Sequence, residues 1–140
     1  MAAGRSEMLQ LAATDPANPY GALLRWPAAD AGASLTRSVG ARVILCDGAL
    51  VAYLRRGNPN VQMFLPEEEP QRSHVARSLA KFLVERVQER SEEGDVRAGM
   101  LIATANGAPV AEHWVAQYLL EAGFSAGAMG FNVRRKIAAT

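Results

Sequence analysis

The sequence predicts an α+β domain: a mostly antiparallel sheet (a β-hairpin meander, a second hairpin and a C-terminal strand) with two helices packed on one face. Three observations carry this prediction. Asp47-Gly48 and Asn106-Gly107 each sit between apolar runs, the signature of a two-residue hairpin turn whose central residues need positive φ. Residues 71–91 repeat their apolar positions at helical spacing. Gly123-Phe124 follows a second apolar-periodic segment, as a left-handed C-terminal cap with its apolar companion would.

Taken in order, residues 1–38 read as a leader and a Pro-rich extended strap or linker, 39–136 as the α+β domain and 137–140 as a tail. Within the leader, Met8 to Ala13 is expected to form a helical turn or two, too short to stand alone. Pro16, Pro19 and Pro27 disfavour helix in the strap and bias the residues before them to extended geometry. Residues 41–46 and 49–55 are the strands around Asp47-Gly48, and 61–65 is a third, stopped by Pro66. The helix at 71–91 buries Val75, Leu79, Phe82, Leu83 and Val87 and turns Arg77, Lys81, Glu85 and Glu89 outward. Glu67-Glu68-Glu69 lies just upstream, where negative charge favours a helix N-terminus. Residues 91–98 are a polar loop, and 99–104 and 108–110 flank the second hairpin turn. A second helix at about 111–122 buries Val115, Tyr118, Leu119 and Ala122. The last strand, about 129–134, runs into Arg134-Arg135-Lys136.

Composition removes several classes of function. The 140 residues are 49% hydrophobic and 21% charged, which suits one domain with a real core and not a disordered chain. The formal net charge of +1 means that polyanion binding would need clustered bases. The single cysteine, Cys46, forbids an internal disulfide and fits a reducing, cytoplasmic setting. No apolar run is long enough for a membrane span, and the N-terminus lacks the apolar core of a secretory signal.

Catalytic patterns are weak. Neither a Walker-type phosphate loop nor a dinucleotide fingerprint occurs. Gly123 to Gly130 has three glycines, but it follows a helix and leads into a strand, the wrong order for a phosphate cradle. His74, His113 and Cys46 are too scattered for a metal site, so no metal ligand is assigned. Nothing adjacent to Cys46 would lower a thiol pKa. The acids at 67–69 lie in one run, whereas acid–base catalysis wants carboxylates converging from separate elements. No catalytic residue is assigned. The stronger signals are basic and aromatic. Arginine outnumbers lysine thirteen to two. Arg55-Arg56 closes one strand and Arg134-Arg135-Lys136 another, and forked guanidinium groups suit phosphate oxygens. If the last strand paired near the second, these would form one patch. Tyr20 and Trp26, with Leu23 and Leu24, make the extended strap an apolar surface for a neighbouring domain.

The run Leu11-Ala-Ala-Thr-Asp-Pro-Ala-Asn-Pro-Tyr-Gly21 with Trp26-Pro27, the hairpin Gly40 to Gly57, Leu119-Leu-Glu-Ala-Gly-Phe124 and the ending Gly130 to Arg135 together resemble the C-terminal region of the large helicase-related (Lhr) family. These are bacterial superfamily-2, DEAD/DEAH-type ATP-dependent DNA helicases. Arg25 departs from the pattern, which has proline before Trp26-Pro27. The resemblance implies a parent with two RecA-like domains and a winged-helix domain that binds ATP and Mg and moves along single-stranded DNA. The helicase motifs of that parent match no position here, so this chain is expected to hold no cofactor. The reading that results is a non-catalytic accessory domain, a fragment or separately encoded tail. It would pack on the helicase core, in cis or as a separate chain, and contact single-stranded DNA through Arg55, Arg56, Arg134, Arg135 and Lys136. The alternatives are a stand-alone small enzyme, a hydrolase or nucleic-acid repair activity built on Glu67-Glu68-Glu69 beside His74, and a pure interdomain structural module.

Overall fold

The computed structural model describes residues 7–29, 34–89 and 99–134. Among these described residues, nine strands and two α-helices follow in the order β1 (Met8–Ala12), β2 (Ala41–Cys46), β3 (Ala49–Arg55), β4 (Asn60–Met63), α1 (Gln71–Gln88), β5 (Gly99–Ile102), β6 (Thr104–Ala105), β7 (Ala108–Pro109), α2 (Ala116–Ala122), β8 (Ser125–Gly127) and β9 (Gly130–Arg134). A 3₁₀ turn, Val110–Glu112, precedes α2. The class is the expected α+β.

Both predicted tight turns form. Asp47 and Gly48 have φ of 50° and 88°, and Asn106 and Gly107 have φ of 52° and 83°. Positive φ at both central positions gives the turn a twist that matches the flanking strands. The strands assemble as a six-stranded sheet, β1-β2-β3-β4-β6-β7, and a three-stranded sheet, β5-β9-β8. All pairings are antiparallel except β4 with β6, which is parallel. That join is reinforced by one side chain. The Asn106 amide donates to the Met63 carbonyl at 3.0 Å and accepts the Met63 N–H at 2.6 Å, a side-chain imitation of a strand partner.

Alternation places β2 between two cores. Ile44 and Cys46 face the helices, joining Val75, Leu79 and Leu83 of α1, Leu119 of α2 and Phe131 and Val133 of β9. Val43 and Leu45 face the other way, with Leu50, Tyr53 and Ala13. Both helices therefore share one face, as expected, and residues from 13–29 and 34–37 cover the opposite face. At the end of α2, the Gly123 N–H donates to the Leu120 carbonyl and the Phe124 N–H to that of Leu119, the paired bonds of a Schellman cap, with Phe124 buried.

Three sequence expectations need correction. Met8–Ala12 is not helical: it is an edge strand paired antiparallel with β2, and that pairing decides a segment too short to choose a state alone. The second helix begins at Ala116 rather than 111, because the chain first makes the 3₁₀ turn and the His113 Nδ1 accepts the Val115 N–H at 3.0 Å. The final strand does not pair near β2, but lies between β5 and β8 in the smaller sheet.

Candidate functional site

The strap folds back on the chain's own sheet through a set of polar clasps. The Asp15 carboxylate accepts the Ala17 N–H at 2.8 Å, making a local turn. Asn18 is buried; its amide donates to the Ala13 carbonyl at 2.9 Å and its oxygen accepts the Tyr20 N–H at 3.1 Å. Arg37 closes the arrangement from outside. Its guanidinium donates to the carbonyls of Asn18 at 2.6 Å, Tyr20 at 3.0 Å and Asp15 at 3.3 Å. A rigid fork suits three carbonyls at fixed spacing better than an ammonium would.

With its backbone held this way, the strap sends its aromatic rings inward. Trp26 meets Tyr53 of β3 edge-on at 5.5 Å and stacks with Tyr20 at 6.3 Å. The Tyr20 hydroxyl accepts the Leu50 N–H at 3.1 Å, and the Tyr53 hydroxyl donates to the Thr36 carbonyl at 3.0 Å. Tyr20 and Trp26, expected to lie against another domain, are thus used on this chain's own β2–β3 sheet. Their loop neighbours are not: Leu23 is 91% exposed and Leu24 47%. Gly21, at φ +80°, makes the turn between these two environments, and a Cβ there would come within 2.6 Å of the Trp26 indole nitrogen.

The candidate phosphate contacts divide similarly. Arg55 donates to the Ser34 carbonyl at 3.3 Å and the Thr36 hydroxyl at 3.0 Å, with its guanidinium 5.8 Å from the Tyr53 ring centre. Much of its donor capacity serves the strap. Arg56 is exposed on the turn after β3. Arg134 is exposed at the end of β9 in the other sheet, its carbonyl accepting the Gln88 amide at 3.0 Å. Among the described residues, no strand pairing joins the two groups. Arg135 and Lys136 lie outside the described residues.

Glu67, Glu68, Glu69 and His74 are all exposed. Glu69 is spoken for: its carboxylate accepts the Ser73 hydroxyl and, at 2.8 Å, the Ser73 N–H in the first turn of α1. Those two bonds, with smaller contributions from Arg72 and Arg77, hold its carboxyl below the ordinary range. The acid run is a helix-start device on an open surface, so the converging carboxylates that an acid–base enzyme would need are not assembled from these residues. Cys46 is buried on β2. Among the described residues, no three His, Cys, Asp or Glu side chains gather into a metal-holding group. No helix there is long and apolar enough to cross a membrane.

The residue pattern also concealed one cluster. Arg72 of α1 lies 3.9 Å from the centre of the Trp114 ring, which meets Tyr118 edge-on at 6.0 Å. Arg77 covers Tyr118 at 5.3 Å and pairs with Glu121 at 2.9 Å, and the Tyr118 hydroxyl donates to Ser73. The spacing of Arg72 and Arg77 on one helix, against Trp114 just before the other helix and Tyr118 on it, is the signal that would have found it. Its evident work is to join α1 to α2.

Comparison with known proteins gives two relatives and no matching family model. An Lhr helicase/probable uracil glycosylase of Mycolicibacterium smegmatis is 41% identical over 85 residues, covering 55% of this chain and 6% of the relative. The Lhr helicase/uracil glycosylase of Escherichia coli is 32% identical over 122 residues, covering 87% of this chain and 7% of the relative. At that coverage of the chain the sequence is an Lhr-family region, spanning 6–7% of the length of the relatives it matches.

Proposed function

We propose that this chain is a non-catalytic accessory domain from the C-terminal region of an Lhr-type helicase. It packs on the helicase core, in cis or as a separate chain, through the loop bearing Leu23 and Leu24. It helps hold the DNA strand through Arg56 and Arg134, with Arg135, Lys136 and a lesser share from Arg55. ATP and magnesium belong to the core, and the setting is cytoplasmic. The observation that carries the reading is the division within the strap. Its aromatic rings are spent on the chain's own sheet, while two adjacent leucines are left in solvent on a region whose relatives are more than ten times longer. Exposed leucines beside a well-packed loop are what a docking contact looks like before its partner arrives.

The test has two parts. A labelled single-stranded DNA should bind the chain with an affinity that falls steeply with salt, since phosphate contacts release counterions. Arg56→Ala with Arg134→Ala should weaken it at least tenfold; unchanged binding ends the DNA part. The second reading rests on the relatives' names, which join helicase to uracil glycosylase. It is tested by incubating the chain with uracil-containing DNA: uracil release by the chain alone would replace the accessory reading with an enzymatic one.

A further inference from the structure

Strand β1 forms one edge of the six-stranded sheet. Its bonding phase is fixed at both ends. The Asp47 N–H donates to the Glu7 carbonyl at 2.9 Å, and the Ala13 N–H to the Ala41 carbonyl at 2.8 Å. Residues 7, 9, 11 and 13 therefore turn their backbone groups to β2, and the N–H and C=O of Met8 and Gln10 point away from it. Among the described residues, nothing bonds to those four groups. Met8–Ala12 also lacks the devices that keep an exposed edge from pairing: it has no charge, no proline and no bulge.

The side chains beside this edge are apolar. Leu9 is 52% exposed and sits opposite Leu45, on the face that the strap covers. Leu45 pairs in turn with Leu50, whose N–H donates to the Tyr20 side-chain hydroxyl. Open backbone and an exposed leucine thus lie side by side on this edge. Phosphates would find no cation on this strand, which argues for a polypeptide occupant. Because relatives carry more than nine-tenths of their length outside this region, the supply of extended segments there is large.

We infer that β1 takes up an extended, uncharged strand from the rest of the Lhr polypeptide, added outside Met8–Ala12 with an apolar side chain over Leu9. The inference rests on the docking function proposed above and names how docking occurs. The probe is the Mycolicibacterium relative with its matching segment deleted, mixed with this chain, and the dissociation constant is read by sedimentation velocity. Gln10→Pro removes one outward N–H and leaves every β1–β2 bond in place. It should weaken the complex at least tenfold while leaving the urea midpoint of the chain alone unchanged; Gln10→Thr, which keeps the N–H, should bind as the unsubstituted chain does. Amide exchange on that unsubstituted chain gives a second readout should Gln10→Pro fail to fold: the Met8 and Gln10 amides should slow at least a hundredfold in the complex.

If Leu23→Asp with Leu24→Asp abolishes binding while Gln10→Pro and the two amides are unaffected, the edge inference falls and docking stands. If the unsubstituted chain forms no complex, both fall. A dimer of this chain alone, lost in Gln10→Pro, would make a second copy the occupant and overturn the inference.

Discussion

Trp26→Ala should destabilise the isolated chain by about 3–4 kcal/mol. A tryptophan presents roughly 200 Å² to bury, and about two thirds or more of Trp26 is buried. At about 25 cal/mol per Å² that burial is worth at least ~3 kcal/mol. The edge-on contact with Tyr53 and the stack with Tyr20 add on the order of 0.5–1 kcal/mol between them, and truncation to alanine keeps the Cβ, which takes a few tenths back. Urea unfolding followed by far-UV ellipticity gives the difference in stability. The matched control is Leu23→Asp, which should stay within about 0.5 kcal/mol of the unsubstituted chain, because an exposed side chain loses no packing. A loss below about 1 kcal/mol for Trp26→Ala, or equal losses for the two variants, would refute the division of the strap into inward rings and outward leucines.

Other substitutions probe the joins. Asn106→Ala should cost about 1–3 kcal/mol through the unpaired backbone of Met63; Asn106→Gly, which tolerates the positive φ, should recover only part of that in the same urea titration. Gly130→Ala should destabilise by at least about 1–3 kcal/mol, since φ is +132° and the new Cβ would lie 2.3 Å from the Ile102 carbonyl oxygen; an unchanged thermal midpoint would contradict the β5–β9 pairing. Arg37→Met should cost about 1.5–3 kcal/mol by freeing three carbonyls, seen as faster proteolysis within residues 13–27. Glu69 is held below its ordinary value of 4.5, so its bonds to Ser73 contribute at neutral pH and are lost as pH falls below that value through the lower folded one. Glu69→Gln should flatten this part of the acid sensitivity of α1 ellipticity, and identical acid titrations would refute it.

Much of the fold was legible because local chemistry and tertiary pairing agree. Asp47-Gly48 and Asn106-Gly107 announce their turns, and the α1 stripe of Val75, Leu79 and Leu83 announces its buried face. Met8–Ala12 was not legible: Met8, Leu9 and Leu11 fit a helical or a strand period equally, and only the pairing with β2 chooses. Ser125–Gly127 has no strand propensity at all and is held by the Gly127–Gly130 end of its hairpin. For the site, the strap was visible as a strap, yet which surface it would cover was not. Tyr20 and Trp26 meet Leu50 and Tyr53, residues some thirty positions downstream, and no local pattern encodes that meeting. Arg55 illustrates the same point, since its spacing suggests a phosphate contact while its hydrogen bonds go to residues 34 and 36.

The back-folded strap sets where this region can be cut. A version starting at residue 39 would keep the Asp47-Gly48 hairpin and both helices, and so pass for a complete unit by sequence. It would also strip Val43, Leu45, Leu50 and Tyr53 of their cover and leave β2 as a naked rim. Transplanting the piece into another protein therefore means carrying everything from Glu7 onward, or inheriting a sticky sheet in place of a module.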